Sequence, residues 1–300
     1  MATDTLFVIG LMMVVSLVWG ILAIPRLRKR LPKIYLITRS WWLMLSALCF
    51  CYVIAKIIHN TQQFQSPTPF QYYPYQWLLI TFFILIALRG SYEIKRLWCL
   101  ANKAKFIQKL EVRGLQAKPI SYAKDSQSTN SYSRLNLLDL LFTGAFISLI
   151  ISLITLQQLA WQREQYGVLL FVLFASQFND IAQYLCGRLL KNKLFKRGLA
   201  PTVSPNKSIE GAIFGSFSAA LLASILGVWL TPFAWWLCLL AAYGLAVSGI
   251  AGDLLESAFK RQHGVKDTGT LLAGHGGVLD RIDSLLLGVP LFTLAYWLLG

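Results

Sequence analysis

The chain has 300 residues, of which 56% are hydrophobic and only 14% are charged. Its mean hydropathy of +0.56 excludes an ordinary water-soluble protein, and its apolar runs of about 20 residues predict membrane-spanning helices. The net charge of +15 is compatible with nucleic-acid binding, but 26 of the 28 Lys and Arg residues lie in segments 25–40, 89–134, 187–210 and 252–283. These segments alternate with almost cation-free apolar ones, as the positive-inside rule requires of cytoplasmic loops, so we expect no nucleic-acid partner.

Three apolar helices are predicted in the first half of the chain, at residues 5–24, about 41–58 and about 76–92. Cations directly follow the first apolar run, so its end is expected inside the cell and the N-terminus outside. Residues 93–134 form the longest polar stretch and show no catalytic pattern, although 97–112 has the pattern of an amphipathic helix on the inner leaflet. We therefore assign residues 1–135 to N-terminal membrane helices and a cytoplasmic basic linker.

Five further apolar helices are predicted, at residues about 137–157, 166–188, 209–230, 233–251 and 284–299. The predicted fold class is therefore all-α, a polytopic membrane protein with about eight transmembrane helices and with N- and C-termini outside. The fifth helix contains Asp180, and an ionisable residue in an apolar segment is costly enough to suggest a function. A capping or ion-pairing role is the structural alternative for this carboxylate.

The stretch from Gly252 to Asp283 is the only long polar segment that is rich in both carboxylates and cations. Asp280 and Asp283 are three residues apart and fall on one face of a helix, where paired carboxylates suit Mg²⁺. The cations, which would neutralise phosphate charge, are Lys260, Arg261, Lys266 and Arg281. The alternative is a solvated cytoplasmic loop with surface ion pairs.

Three runs in this stretch form a fixed pattern. They are Ser257-x-Phe259-Lys260-Arg261, Lys266-Asp267-x-Gly269 and His275-Gly276-Gly277-x-x-Asp280-Arg281-x-Asp283. Together they resemble the signature of the phosphatidate cytidylyltransferases, also named CDP-diacylglycerol synthases. A second element, Ser204-Pro205-Asn206-Lys207-Ser208 with Glu210-Gly211, is similar to that family's Ser-Pro-x-Lys-Thr and Glu-Gly motif. The chain departs from the family at Ala273, Ser208 and Ile209, where proline, threonine and tryptophan are usual.

The resemblance covers residues from about 176 to 290, so residues 136–300 are predicted to form the catalytic membrane domain. It implies transfer of a cytidylyl group from CTP to phosphatidic acid among the membrane lipids, giving CDP-diacylglycerol and pyrophosphate. It also implies Mg²⁺, together with K⁺, as cofactors and a homodimer as the assembly. A compact multi-pass chain without a transit peptide fits a bacterial inner membrane, with the active site on the cytoplasmic face.

The resemblance also assigns individual residues. Those assigned to catalysis are Asp253, Lys266, Asp267, Asp280, Arg281 and Asp283. Those assigned to substrate binding are Asp180, Ser204, Lys207, Ser257, Lys260, Arg261, His275, Gly276 and Gly277. The expected Mg²⁺ ligands are Asp253, Asp280 and Asp283.

Two other functions stay open. One is a related membrane enzyme that acts on a different lipid phosphate, because nothing in residues 1–135 identifies the acyl chains. The other is a transporter or an inactive membrane scaffold. A transporter should carry charges midway along its helices, whereas the acids here cluster at the predicted cytoplasmic helix ends.

Overall fold

The computed structural model describes residues 3–62, 76–112, 136–190, 195, 198–269 and 276–299. Helices dominate because a chain in a bilayer must satisfy its backbone N–H and C=O groups internally. In chain order they are α1 (Thr3–Ala23), α2 (Pro25–Arg30), α3 (Pro32–Gln62), α4 (Gln76–Val112), α5 (Leu137–Gln162), α6 (Gly167–Leu190), α7 (Ser216–Leu230), α8 (Trp235–Gln262), α9 (Leu279–Ile282) and α10 (Leu285–Leu299).

Seven helices in the described part of the chain are long and apolar enough to cross a membrane. They are α1, α3, α4, α5, α6, α8 and the continuous helical segment Gly211–Leu230, which contains α7. Helix α10 is also apolar, but it has only 15 residues and contains Pro290. The structure confirms an all-α, multi-pass membrane protein in which each of the eight predicted helices has a counterpart. The orientation of the termini stays a prediction.

Helix α4 differs from the sequence prediction because it runs without a break from Gln76 to Val112. The sequence predicts an apolar helix at 76–92 and a separate amphipathic helix at 97–112. Glu, Lys and Arg are good helix formers, so the change from apolar to polar side chains does not end a helix. The linker predicted after this helix, at 113–135, lies outside the described residues.

A short β-hairpin is the exception to the helical architecture in the described residues. Strands β1 (Gly198–Ala200) and β2 (Ser204–Ser208) pair antiparallel, with Gly198 opposite Ser208. A π-helical segment, Gly211–Gly215, follows β2 and continues directly as α7. Such π-helical turns are frequent at functional sites, and this one joins the hairpin to a membrane helix.

The π-helical segment packs on α6 through glycine. A Cβ atom at Gly211 would lie 2.8 Å from the backbone oxygen of Gln183, and one at Gly215 would lie 2.5 Å from the Cα atom of Gln183. Small residues let helices approach each other this closely. The contact brings β2, which carries Lys207, beside the helix that carries Asp180.

Helix α8 approaches the segment before α10 in the same way. A Cβ atom at Gly252 would lie 2.5 Å from the backbone oxygen of Asp283. Further along α8, Phe259 is fully buried and stacks on Phe142 of α5, with ring centroids 4.2 Å apart. These contacts hold the part of α8 in which Asp253 lies close to Asp283.

A buried polar cluster holds α1 against α3. Asp4, near the start of α1, accepts a hydrogen bond of 2.5 Å from the hydroxyl of Tyr52 and pairs with Lys56. Phe7 of α1 meets Phe174 of α6 edge to face, with ring centroids 5.0 Å apart. The N-terminal helix therefore contacts the helices of the C-terminal half directly.

Candidate active site

A cavity of about 490 Å³ opens between α6, the β-hairpin, α8 and the segment around α9. The residues predicted from the sequence that line it are Asp180, Lys207, Asp253, Asp280, Arg281 and Asp283. Further polar residues that line it, which the site prediction did not include, are Gln183, Tyr184, Arg188 and Ser208. Residues from distant parts of the chain thus converge on one cavity that holds both carboxylates and cations.

Three carboxylates in or beside this cavity form a compact cluster, Asp253, Glu256 and Asp283. Each offers one oxygen atom, and these oxygens all lie within 4.8 Å of one another. Asp253 and Glu256 are one turn apart on α8. The close contact between Gly252 of α8 and the backbone of Asp283 brings Asp283 beside them. The third metal ligand predicted from the sequence is Asp280 and not Glu256, although the spacing of Asp253 and Glu256 is itself a signal for a shared helical face.

The carboxylate cluster combines closely spaced acids with an oxygen atom that has no hydrogen-bond partner in the described structure. Glu256 is fully buried, and its Oε1 atom has no hydrogen-bond partner among the described residues. Burial, together with the charges of Glu256 and Asp253, raises the pKa of Asp283 well above its usual range. Close carboxylates with a free oxygen are the ligands that a hard divalent cation such as Mg²⁺ prefers, so the three residues fit a metal site.

Asp280 has a different role in the described structure, because hydrogen bonds occupy both of its oxygens. Its Oδ1 atom accepts a bond of 2.8 Å from Lys260, and its Oδ2 atom accepts bonds from the backbone N–H groups of Thr268, at 2.9 Å, and Gly277, at 2.7 Å. Burial opposes ionisation, but the charge of Lys260 and these hydrogen bonds outweigh it and lower the pKa of Asp280. Asp280 therefore ties the two ends of the loop before α9 together.

The cations around the cluster are held by its carboxylates. Lys260 lies between Glu256, at 2.6 Å, and Asp280, at 2.8 Å, while Lys207 of β2 pairs with Asp253. Arg281 lines the cavity, and its buried Nε atom has no hydrogen-bond partner in the part of the chain that the structure describes. A phosphate in the cavity would therefore meet ammonium and guanidinium groups beside the carboxylates.

Glu93 of α4 is a site residue that the sequence analysis missed. It is fully buried, and its carboxylate accepts hydrogen bonds from the backbone N–H groups of Val278, at 3.0 Å, and Leu279, at 3.1 Å. The hydroxyl of Thr268 lies 3.0 Å from the same carboxylate. Because Val278 and Leu279 begin α9, Glu93 positions the short helix that carries Asp280 and its neighbours.

The remaining predicted residues lie outside the cluster or support it. Ser257 donates a hydrogen bond of 3.3 Å to Asp253. Arg261 is exposed and its Nε atom donates a bond of 3.4 Å to the backbone oxygen of Val203 in the hairpin turn. Their roles towards a substrate stay predictions, as do those of the partly exposed Ser204 and the exposed Lys266 and Asp267.

The glycine turn at 276 and 277 serves the loop itself. Gly276 has a φ of +84°, a conformation that side chains other than glycine rarely adopt. The N–H group of Gly277 is engaged by Asp280 at 2.7 Å, so it is not free for a ligand in this structure. His275, which precedes the turn, lies outside the described residues.

The position of one acid along its helix differs from the sequence prediction. Asp253 lies inside α8, which continues to Gln262, whereas the sequence predicts that this helix ends at 251, where the polar residues begin. Asp180 lies in α6, whose bounds agree with the predicted helix at 166–188. Charge position alone therefore does not separate an enzyme from a transporter, and the distinction rests on the chemistry of the cavity and on relatives of the chain.

Several bacterial proteins are similar in sequence to this chain. An uncharacterised Escherichia coli protein is 45% identical over 125 residues, which cover 42% of this chain and 41% of that protein. A phosphatidate cytidylyltransferase of Staphylococcus epidermidis is 33% identical over 198 residues, which cover 64% of this chain and 72% of that enzyme. One of Haemophilus influenzae is 38% identical over 192 residues, covering 59% of this chain and 62% of that enzyme. A model of the cytidylyltransferase family matches residues 5–299, so the chain belongs to this family.

Proposed function

We propose that the protein transfers a cytidylyl group from CTP to phosphatidic acid, giving CDP-diacylglycerol and pyrophosphate. The observation that carries this proposal is the cavity that Asp253, Asp283, Lys207 and Arg281 line, with the buried Glu256 close to the two aspartates. A cavity of this composition suits two phosphate-bearing substrates, and the relatives named phosphatidate cytidylyltransferase support the choice of these two.

The reaction requires two anions to meet. A phosphate oxygen of the lipid attacks the α-phosphorus of CTP and forms a new P–O bond, while the bond from the α-phosphorus to the bridging oxygen breaks and pyrophosphate leaves with that electron pair. A phosphate monoester is largely ionised near neutral pH, with a second pKa of about 6, so the nucleophile needs no general base. The main task of the protein is to hold the two anions together and to balance their charge.

The residues of the cavity divide this task. Asp253, Glu256 and Asp283 would hold Mg²⁺, which when bound supplies positive charge to the phosphate oxygens of the nucleotide. Lys207 sits at the edge of the cluster through its pair with Asp253, where its ammonium group can also contact a phosphate. Arg281 can bind phosphate in a bidentate manner. Lys260 pairs with Glu256 and Asp280, and its positive charge reduces the repulsion between these carboxylates and the rest of the cluster.

The protein is a multi-pass membrane protein, and its named relatives are bacterial. We propose that it lies in a bacterial inner membrane with the cavity towards the cytoplasm, where CTP is available. The basic segments between its helices support this orientation. We also propose that the protein forms a homodimer. The molecular mass of the purified protein in detergent tests this assembly.

The proposal is tested by CTP-dependent formation of CDP-diacylglycerol from phosphatidic acid and Mg²⁺ by the purified protein. We expect product from the wild type and a loss of about 100-fold or more in the Glu256→Gln variant, because the substitution removes a charged ligand without changing side-chain size. Glu164→Gln is the matched control, since Glu164 lies exposed in the turn between α5 and α6.

Three other results of these measurements would contradict part of the proposal. Equal activity of Glu256→Gln and wild type would remove Glu256 from the metal site. Absence of product from folded wild-type protein that still binds CTP would contradict phosphatidic acid as the acceptor. Failure of the folded protein to bind CTP would contradict the enzyme and favour a membrane scaffold.

A further inference from the structure

A second cavity, of about 390 Å³, lies between α3, α4, α6 and the segment around α9. We define it as the apolar groove, with Ala47, Leu48, Phe83, Ile86, Phe174 and Arg281 among the residues that line it. Its volume is in the usual range for a site that binds a small molecule. Gln177 and Arg281 are the polar side chains of its lining, and the rest of the lining is apolar.

The apolar groove and the candidate active site meet at one side chain. Arg281 lines both cavities, and its buried Nε atom has no hydrogen-bond partner among the described residues. A guanidinium group in this position can bind a phosphate at the boundary between a charged cavity and an apolar one. The groove therefore begins where the reacting phosphate of a lipid would lie.

The lining of the groove also reaches the surface of the membrane helices. Leu43 of α3 lines it and is 50% exposed, and Ala47, one turn further on, is also exposed. This surface belongs to a helix that is long and apolar enough to cross the bilayer. An occupant can therefore enter from the bilayer without passing through water.

We propose that the apolar groove binds an acyl chain of the lipid phosphate substrate, with the phosphate at Arg281. The inference rests on the proposed function, because it assigns the lipid partner of that reaction to a place separate from the nucleotide. One molecule with an anionic head and a hydrocarbon tail matches the groove: the tail fits the apolar lining, and the head fits the guanidinium group of Arg281, which also lines the carboxylate-lined cavity. CTP, which is polar throughout, fits only the first cavity.

A substitution that fills the groove tests this assignment. Ala47→Trp should lower the ratio of kcat/KM for dioleoyl phosphatidic acid to kcat/KM for dihexanoyl phosphatidic acid about tenfold, because the indole ring takes up groove volume that the long chain needs more than the short one. Leu17→Trp is the control, since Leu17 is 66% exposed on α1, and it should leave the ratio at its wild-type value. The same ratio in Ala47→Trp and wild type would overturn the proposal.

A binding experiment makes the test independent of turnover. Phosphatidic acid with a diazirine in the middle of one acyl chain should label residues of the groove in the wild type after illumination. Unlabelled phosphatidic acid should compete for this labelling, and phosphatidylcholine should not. Equal competition by both lipids would identify an ordinary bilayer-facing surface and overturn the proposal.

The two experiments also separate the groove from the reaction. Specific labelling without CTP-dependent product would keep the lipid site and contradict the proposed function. Product without labelling of the groove would keep the reaction and overturn the site. If Ala47→Trp instead changed the mass of the particle in detergent from two copies to one, the occupant of the groove would be a second copy of the chain.

Discussion

Asp280 and Glu256 illustrate how two carboxylates in one site take different roles. Both contact Lys260, but Asp280 also accepts two backbone hydrogen bonds, whereas Glu256 keeps an oxygen without a partner in the described structure. A carboxylate whose two oxygens both accept hydrogen bonds has less capacity left for a metal. The unpartnered oxygen of Glu256 is therefore the better candidate for metal binding, and Asp280 for holding the loop.

The effect of Mg²⁺ on thermal stability separates these two roles. Mg²⁺ at about 100 times its Kd should raise the melting temperature of the wild type by several degrees, because the cation binds only the folded cluster. Asp253→Asn should lose most of this rise. Asp280→Asn should melt at a lower temperature without Mg²⁺, since Lys260 loses a charged partner, but should keep the rise.

Calorimetry or fluorescence of the purified variants in one detergent measures these shifts. Ca²⁺-free buffer with a chelator defines the starting point of each titration. If Asp280→Asn abolished the Mg²⁺-dependent rise and Asp253→Asn retained it, Asp280 would be a ligand, as the sequence predicts, and the cluster geometry would be misleading.

Glu93 should influence catalysis without touching either substrate. Glu93→Gln keeps the size of the side chain but replaces one acceptor oxygen by an NH₂ group, so a backbone N–H group at the start of α9 loses its partner. We expect a loss of about 1–3 kcal/mol in the free energy of unfolding and a drop of about tenfold in kcat.

A positioning role predicts that the KM for CTP changes less than kcat, because Lys207, Asp253 and Glu256 lie on other elements and stay in place when α9 shifts. Steady-state kinetics with varied CTP measures both. Lys95→Gln, at an exposed position on the same helix, is the control. A change in KM alone would mean that Glu93 acts on nucleotide binding and not on the placement of α9.

The close approach of the π-helical segment to α6 holds together the elements that form the cavity. Gly215→Ala would place a methyl group against the backbone of Gln183, so we expect a loss of about 1–3 kcal/mol in stability. Gly144→Ala in α5 is the matched control, because nothing lies within 4 Å of a Cβ atom there. Thermal unfolding of the two variants in detergent should show destabilisation in the first only.

The same elements show why helix boundaries were the weaker part of the sequence prediction. The apolar runs identify the membrane helices because the bilayer sets their length and composition. Polar residues after such a run do not stop a helix, and α4 and α8 both continue well past the point where charge begins. Hydropathy therefore locates the spans of this chain but not the ends of its helices.

The spacing of residues in the sequence predicts contacts within one segment of this chain and not contacts between distant segments. The motifs around Lys207, Asp253 and Arg281 point to the cavity because each lies in a polar run with a fixed pattern. Glu93 meets Val278 across a separation of 185 residues, and no spacing in the sequence signals such a contact. Glu256, in contrast, follows Asp253 by one turn, so its place in the cluster could have been inferred.

The hydrogen bonds of Glu93 also bear on how the protein can be divided. A fragment that began at residue 136 would retain the motifs but would leave two N–H groups at the start of α9 without their acceptor. The N-terminal helices are then more than a membrane anchor, because Glu93 of α4 holds the start of α9 in place. A minimal working unit of this protein should therefore include α4.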